Sequence, residues 1–177
     1  IIDIATKPRW WLGMAGTKRR TFRNIVGHAP GVKDARALAS WTNEQFDPTL
    51  NWDDVKRIKD EWGGKLIVKG ILDPEDAKLA VESGADALIV SNHGGRQLDG
   101  TVSSIAALPG IAAAVGHRIE VFMDGGIRSG QDVLKALALG AKGVFIGRAY
   151  IYGLGAMGQA GFAKALECIR KELDVTL

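Results

Sequence analysis

Short apolar runs alternate with amphipathic stretches from about residue 53 to the end of the chain. The runs KLIVKGI (65–71), DALIV (86–90), IEVFMDGG (119–126) and GVFIG (143–147) are rich in β-branched and aromatic residues, which predicts four strands. Between them, EDAKLAVES after Asp73-Pro74, the alanine-rich stretch from Ser103 to Val115, and GQDVLKALALG (130–140) have helical composition. Asp73 suits an N-cap and Pro74 the first helical position, while Gly84 marks a C-terminal stop. Pro109 predicts an interruption of its helix. A final amphipathic stretch, 156–173, predicts a long helix.

The four runs are apolar throughout rather than alternating, as in parallel strands covered on both faces. GADALIV (84–90) and GAKGVFI (140–146) share the pattern Gly-Ala-x-small-apolar-apolar-apolar, as copies of a repeated βα unit would. Polar and glycine residues gather at the carboxyl ends of the runs: Lys69-Gly70, Ser91 to Arg96, Asp124 to Arg128, and Gly147-Arg148. Active sites of parallel α/β folds lie at that edge. The predicted class is α/β, and a (β/α)8 barrel is favoured over a doubly wound sheet because every strand end carries polar groups. A complete barrel needs roughly 200 residues or more, so about four βα units read as half of one. Its open sheet edges would invite pairing.

The 177 residues are 46% hydrophobic and 24% charged, with a formal net charge of +3. That balance fits a globular protein and is too weakly basic to imply nucleic-acid binding. No apolar run reaches the roughly 18 residues that would span a bilayer, and no secretory leader pattern is visible. Cys168 is the single cysteine. It excludes an intrachain disulfide, fits a reducing cytoplasmic setting and leaves no Cys/His spacing for a metal. Ile1 at the start, in place of methionine, points to a processed, trimmed or excised piece.

The strand ends carry the chemistry. DGGIRSGQDV (124–133) sets glycines and Arg128 between a strand and a helix, where backbone can approach a ligand and free helix-terminal N–H groups bind phosphate. Gly147-Arg148 adds a second glycine–arginine pair at the next strand end, where barrels commonly hold phosphate. The bland alternative is a pair of tight glycine turns. Lys69 at the first strand end is either solvated or placed to stabilise negative charge on a cofactor. In SNHGGRQLDG (91–100), His93 has the chemistry of a general base and Arg96 that of a carboxylate clamp. A lone histidine is usually a satisfied turn residue, but here it stands three positions from an arginine and is flanked by Gly94-Gly95.

SNHGGRQLDG resembles the active-site signature of the FMN-dependent α-hydroxy acid dehydrogenases and oxidases, a family that includes L-lactate and mandelate dehydrogenases and glycolate oxidase. LIVKGI, VFMDGGIRSGQDVLKALALGA and VFIGRAYIYGL resemble the family's last four strands in order and spacing, so the likeness covers essentially the whole chain. The resemblance implies the C-terminal half of a TIM barrel, FMN as cofactor, and oxidation of an L-2-hydroxy acid, L-lactate first, to the 2-keto acid. It implies that His93 takes a proton from the substrate α-carbon or hydroxyl and that Arg96 binds the substrate carboxylate. Lys69 would stabilise the reduced flavin and Ser91 would contact it. Asp124 would hold the ribityl hydroxyls, and Gly125, Gly126, Ile127, Arg128, Gly147 and Arg148 would surround the phosphate.

Residues 1–52 resemble the loop and helical segment between the family's fourth and fifth strands, leaving 53–177 as the half-barrel. Trp10-Trp11 beside Lys7, Arg9, Lys18, Arg19, Arg20 and Arg23 combine apolar rings with a basic cluster. That combination suits the inner face of a cytoplasmic membrane, with a quinone among the implied electron acceptors. The alternative is a solvated loop with its tryptophans packed inward. The resemblance implies a homo-oligomer, or pairing with an N-terminal half carrying the remaining flavin contacts and the carboxylate that orients His93. A half-barrel that binds phosphate or FMN without catalysing is the competing reading, as is a mandelate- or glycolate-type substrate. Another FMN barrel, such as an isomerase, would share the phosphate motif but not HGGR.

Overall fold

A computed structural model describes residues 6–15, 25, 29, 31–32 and 35–177. It forms two compact units, 1–50 and 51–177. The first contains helices α1 (Pro8–Ala15) and α2 (Ala35–Gln45). The second starts at Asn51, slightly ahead of the boundary expected at 53, because Asn51 and Asp54 form the capping box of α3 (Trp52–Trp62).

Thereafter the chain alternates: β1 (Ile67–Ile71), α4 (Pro74–Glu82), β2 (Ala87–Val90), a tight turn at His93–Gly95, α5 (Ser104–Val115), β3 (Glu120–Asp124), α6 (Gly130–Ala138), β4 (Gly143–Phe145) and α7 (Arg148–Thr176). Asp73 caps α4 by accepting from the Glu75 N–H, and Pro74 takes the first helical position. All strand pairs are parallel and the order is β1-β2-β3-β4. The parallel order of successive neighbours fits right-handed crossovers that carry α4, α5 and α6 to one face. The core records this: Leu88, Val90, Val121 and Met123 of the sheet pack against Ala77, Leu108, Ile111, Val115 and Ala136 of the helices. Burying one large aliphatic side chain here stabilises the fold by roughly 1.5–3 kcal/mol. A doubly wound sheet would reverse its strand order and carry helices on both faces. This sheet is the arc of a (β/α)8 barrel, a half-barrel of four βα units.

One-sided helices correct the expectation of strands covered on both faces. Only β2 is buried along its whole length. At the sheet edges Ile67 and Phe145 are 49% and 48% exposed, since their side chains turn away from the helices. A bulge in β1 sorts its carboxyl end. Lys69 and Ile71 would share a face in a regular strand. The register shifts between them at Gly70, whose φ is +101°. Ile71 therefore enters the core while Lys69 stays on the opposite face.

Two further expectations are corrected. Helix α5 runs through Pro109 without a break. The ring removes the amide that would reach the Ile105 carbonyl, and the fully buried Leu108, Ile111 and Val115 hold the helix on both sides of it. The last helix starts at Arg148 rather than 156 and breaks at Met157-Gly158, where Gly158 has φ +61°. Its two segments fold against each other: Gly153 and Gly161 meet backbone to backbone, and the rings of Tyr150 and Phe162 stack edge to face at 5.2 Å. Glycines dilute the helical pattern of the first segment, so the sequence does not announce it.

Candidate functional site

The loop after β2 is a left-handed turn. His93, Gly94 and Gly95 have φ of +56°, +69° and +70°, and the Gly95 N–H donates to the Asn92 carbonyl at 3.1 Å. Each non-glycine residue in that region costs about 1–2 kcal/mol, and His93 is the single one among the described residues. Neighbours hold it there. The His93 N–H donates to Ser91 Oγ at 3.1 Å and the Gly94 N–H to Asn92 Oδ1 at 2.9 Å. Arg148 reaches across from α7 and donates from Nη2 to the Gly94 carbonyl at 2.7 Å, over the space a side chain at 94 would fill. His93 and Arg96 both stay exposed.

On the face turned from the helices, the Lys69 ammonium donates to Ser91 Oγ at 2.9 Å and pairs with Asp124 Oδ2 at 3.0 Å. Ser91 is only 2% exposed. It links Lys69 to the His93 turn. The other oxygen of Asp124, Oδ1, is buried and lacks a hydrogen-bond partner. A buried carboxylate oxygen without a donor is costly, and this one belongs to a residue that stands among the candidate ligand residues.

A cleft of about 960 Å³ joins the loops after β3 and β4 to the turn after β2. Its walls include His93, Arg96, Asp124, Gly125, Gly126, Ile127, Arg128, Gly147 and Arg148. The site residues expected from sequence thus meet on one cleft, except Lys69 and Ser91. Those two line an adjacent cleft of about 390 Å³ that His93 also borders. Among the described residues no carboxylate pairs with Arg96, Arg128 or Arg148, so the large cleft is cationic. A Cβ at Gly126 or Gly147 would meet nothing within 4 Å, so backbone faces open space at both positions. Ile127 contributes backbone only, because its side chain is 5% exposed in the core.

The helix terminus in the phosphate expectation is corrected. At the start of α6 the N–H groups of Arg128 and Ser129 donate to Asp132, and that of Gly130 to Glu172 of α7, at 2.9–3.1 Å. Burial works to raise the Asp132 pKa, but the Arg128 N–H, the Ser129 hydroxyl and the Ser129 N–H outweigh it and hold the carboxyl below its ordinary range. Anions already occupy that helix end. The start of α7 differs: Gly147 is its N-cap, no side chain caps it, and no acidic residue lies in its first turn. Its free N–H groups and positive end open on the large cleft.

Sequence reasoning passed over Asn92, Ser104, Glu172 and the apolar wall of Phe145, Ile151 and Tyr152. Asn92 was findable, since asparagine before a glycine pair is an Asx-turn signal. So was Ser129-x-x-Asp132, which has the spacing of a capping box. Glu172 was not, because 42 residues separate it from the amide it accepts. Of the basic, tryptophan-bearing segment, α1 is described, but the side chains of Arg9, Trp10 and Trp11, and Lys18, Arg19, Arg20 and Arg23, lie outside the described residues. Among the described residues no helix is long and apolar enough to cross a membrane, and no acidic, His or Cys cluster has metal-binding geometry.

Known proteins resemble the chain in sequence and in fold. The chain is 50% identical over 181 residues to an L-lactate dehydrogenase of Caulobacter vibrioides, covering 100% of this chain and 46% of that protein. It is 47% identical to an L-lactate dehydrogenase of Actinobacillus pleuropneumoniae, covering 99% of this chain and 46% of the relative. The chain thus spans about half the length of the curated relatives it matches. Among solved structures, the monotopic membrane protein (S)-mandelate dehydrogenase superposes with a TM-score of 0.89 at 38% identity, over 99% of this chain and 46% of its own. A mandelate oxidase superposes with a TM-score of 0.72 at 46% identity, over 79% of this chain and 40% of its own. The family model described as FMN-dependent dehydrogenase matches residues 1–177. The chain belongs to the FMN-dependent dehydrogenase family.

Proposed function

We propose that this half-barrel is the phosphate and proton-transfer side of an FMN-dependent enzyme that oxidises an L-2-hydroxy acid, L-lactate, to its 2-keto acid. One observation carries the reading: a single cleft is lined both by His93 and Arg96, with the chemistry of a base and a carboxylate clamp, and by Gly126, Arg128, Gly147 and Arg148, a glycine–arginine cradle without carboxylate partners among the described residues. FMN fits the residues present. Arg128, Gly126 and the uncapped α7 start at Gly147-Arg148 would hold its phosphate. The orphaned Asp124 Oδ1 would take a sugar-chain hydroxyl. When bound, FMN supplies the two-electron sink that amino-acid side chains lack.

The chain's own residues do the rest. Arg96 anchors the substrate carboxylate through paired N–H donors, which orients the hydroxyl-bearing carbon toward the cleft. His93, three residues earlier on the same turn, accepts the proton released from the substrate. The Lys69 ammonium, held by Ser91 and Asp124, places a positive charge where negative charge accumulates. The electrons pass on to a quinone or another acceptor. Peripheral attachment to the inner face of the cytoplasmic membrane, through the segment bearing Trp10 and Trp11, is supported by Leu12, 64% exposed on α1, and by the monotopic neighbour. The half-exposed Ile67 and Phe145, on the face turned from the helices, support covering of that face by a complementary segment or copy.

The test is anaerobic addition of L-lactate to the full chain holding FMN. Bleaching of the flavin colour in the wild type, and its loss at moderate lactate in Arg96→Lys, fits the proposal. A flavin that stays oxidised with every 2-hydroxy acid offered refutes it.

A further inference from the structure

We propose that Asn92 is a positioning residue: its carboxamide holds the left-handed His93–Gly95 turn, and with it the direction in which His93 and Arg96 face the cleft. The inference rests on the proposed function for its catalytic consequence, but not for its structural content.

Three consecutive residues in the left-handed region form a turn that an L-amino-acid chain does not adopt unaided. Gly94 and Gly95 enter it freely. His93 does not, and something must repay its strain. Asn92 is built to do so from both ends. Its Oδ1 accepts from the Gly94 N–H at 2.9 Å, one residue beyond the strained position. Its Nδ2 donates to the Val102 carbonyl at 3.3 Å, and its backbone N–H donates to Ser104 Oγ at 3.2 Å. The turn is thereby tied to the start of α5, ten and twelve residues away.

The strand next door is shaped around the same group. Gly125, at the end of β3, has φ +87°, and a Cβ there would lie 3.0 Å from Ser104 Oγ and 3.1 Å from Asn92 Oδ1. Only glycine leaves room for the Asn92–Ser104 pair without pushing it. Asn92 therefore fixes the base-bearing turn relative to both the α5 terminus and the loop that lines the phosphate end of the cleft. Neither of its side-chain atoms needs to touch substrate or cofactor. A displacement of about 1 Å in a reacting group can cost on the order of 100-fold in rate, so the loss of this tether is felt as turnover.

The experiment compares Asn92→Ala, Asn92→Asp and Ser104→Ala in the full chain. Asn92→Asp keeps the acceptor for Gly94 and loses the donor to Val102; Asn92→Ala loses both. Amide hydrogen exchange, read without any turnover, should show the Gly94 N–H protected in the wild type and in Asn92→Asp and unprotected in Asn92→Ala. In the FMN-loaded protein, Asn92→Ala should lower kcat roughly 10- to 100-fold with FMN affinity unchanged, Asn92→Asp should recover most of it, and Ser104→Ala should fall between. Equal Gly94 exchange in the wild type and Asn92→Ala overturns the proposal. So does unchanged kcat in a folded, flavin-bound Asn92→Ala, or loss of kcat in Asn92→Asp equal to that in Asn92→Ala. If the wild type itself fails to oxidise 2-hydroxy acids, the functional reading fails while the exchange result still decides the tether.

Discussion

At the amino edge of the sheet, the Asp86 carboxylate takes donors from Lys59, from Lys65 at 2.7 Å and from the Leu66 N–H at 2.9 Å. Lys59 also donates to the Gly64 carbonyl at 2.8 Å and packs over Gly84. At the carboxyl edge the arrangement inverts. Three arginines lack carboxylate partners among the described residues, one buried carboxylate oxygen lacks a donor, and His93 sits in a strained conformation. Charges are saturated at the amino edge, whereas at the carboxyl edge Lys69 pairs with Asp124 but the arginines keep no carboxylate partner among the described residues, where a ligand would complete them. Barrels divide labour in this way between stability at one end and chemistry at the other.

The largest effect that would test this division is on turnover. His93→Ala in the full chain should lower the rate of 2-hydroxy acid oxidation by about 10²- to 10⁴-fold and leave the melting temperature unchanged or slightly raised, since alanine replaces an exposed side chain. A marked drop in melting temperature would make His93 a structural residue and blur the comparison.

Next in size is the core beneath both edges. Leu88 is fully buried in the middle of β2, and Leu88→Ala should cost about 2–5 kcal/mol in denaturant unfolding. A cost under 1 kcal/mol would mean that the sheet–helix core is not what carries the fold.

The amino edge should reveal itself through pH. The Lys59 hydrogen bond first, with those of Lys65 and Leu66, holds Asp86 far below the usual carboxylate range. A carboxyl lowered by folding contributes stability that is complete above its unfolded value of about 3.9 and drains away as pH falls toward the folded one. Melting curves should thus weaken on acidification below that value more steeply in the wild type than in Asp86→Asn. Parallel curves would contradict the clamp.

The smallest effects separate two neighbouring glycines. Gly126→Ala at φ +78° meets no atom of the chain within 4 Å; it should cost the backbone strain of about 1–2 kcal/mol and, by entering the space proposed for the phosphate, weaken FMN binding, with kcat at saturating FMN retained. Gly125→Ala carries the same strain, crowds Asn92 and Ser104 as well, and should reduce kcat in addition. Equal kcat in the two variants would show that the loop after β3 and the His93 turn are independent.

Much of this was legible in the sequence, for local reasons. Asp73-Pro74 and Gly84 bracket α4, the four apolar runs are the strands, and the polar residues after each run lie on the clefts. What escaped depends on distance along the chain or on backbone sorting within it. Periodicity could not foresee that Gly70 bulges to send Ile71 inward and Lys69 outward. Nor could it foresee that Glu172 and Asp132 fill the α6 terminus and leave the α7 start to face the cleft. Pro109 misled because a buried helix face outweighs one lost amide. His93 and Arg96 could be picked from SNHGGRQLDG as candidates for a base and a clamp, and both line the large cleft. The left-handed turn that presents them needed Asn92, whose role appears only once Val102, Ser104 and Gly125 are seen around it.

The most direct measurement is the difference in affinity of the full chain for FMN and for riboflavin, which lacks the phosphate. A phosphate cradle at Arg128, Gly147 and Arg148 predicts that FMN binds much more tightly, that the gap shrinks in Arg128→Ala and Arg148→Ala, and that His93→Ala leaves it intact. Equal affinity for the two flavins, or a gap unmoved by either arginine, would contradict the assignment of this cleft.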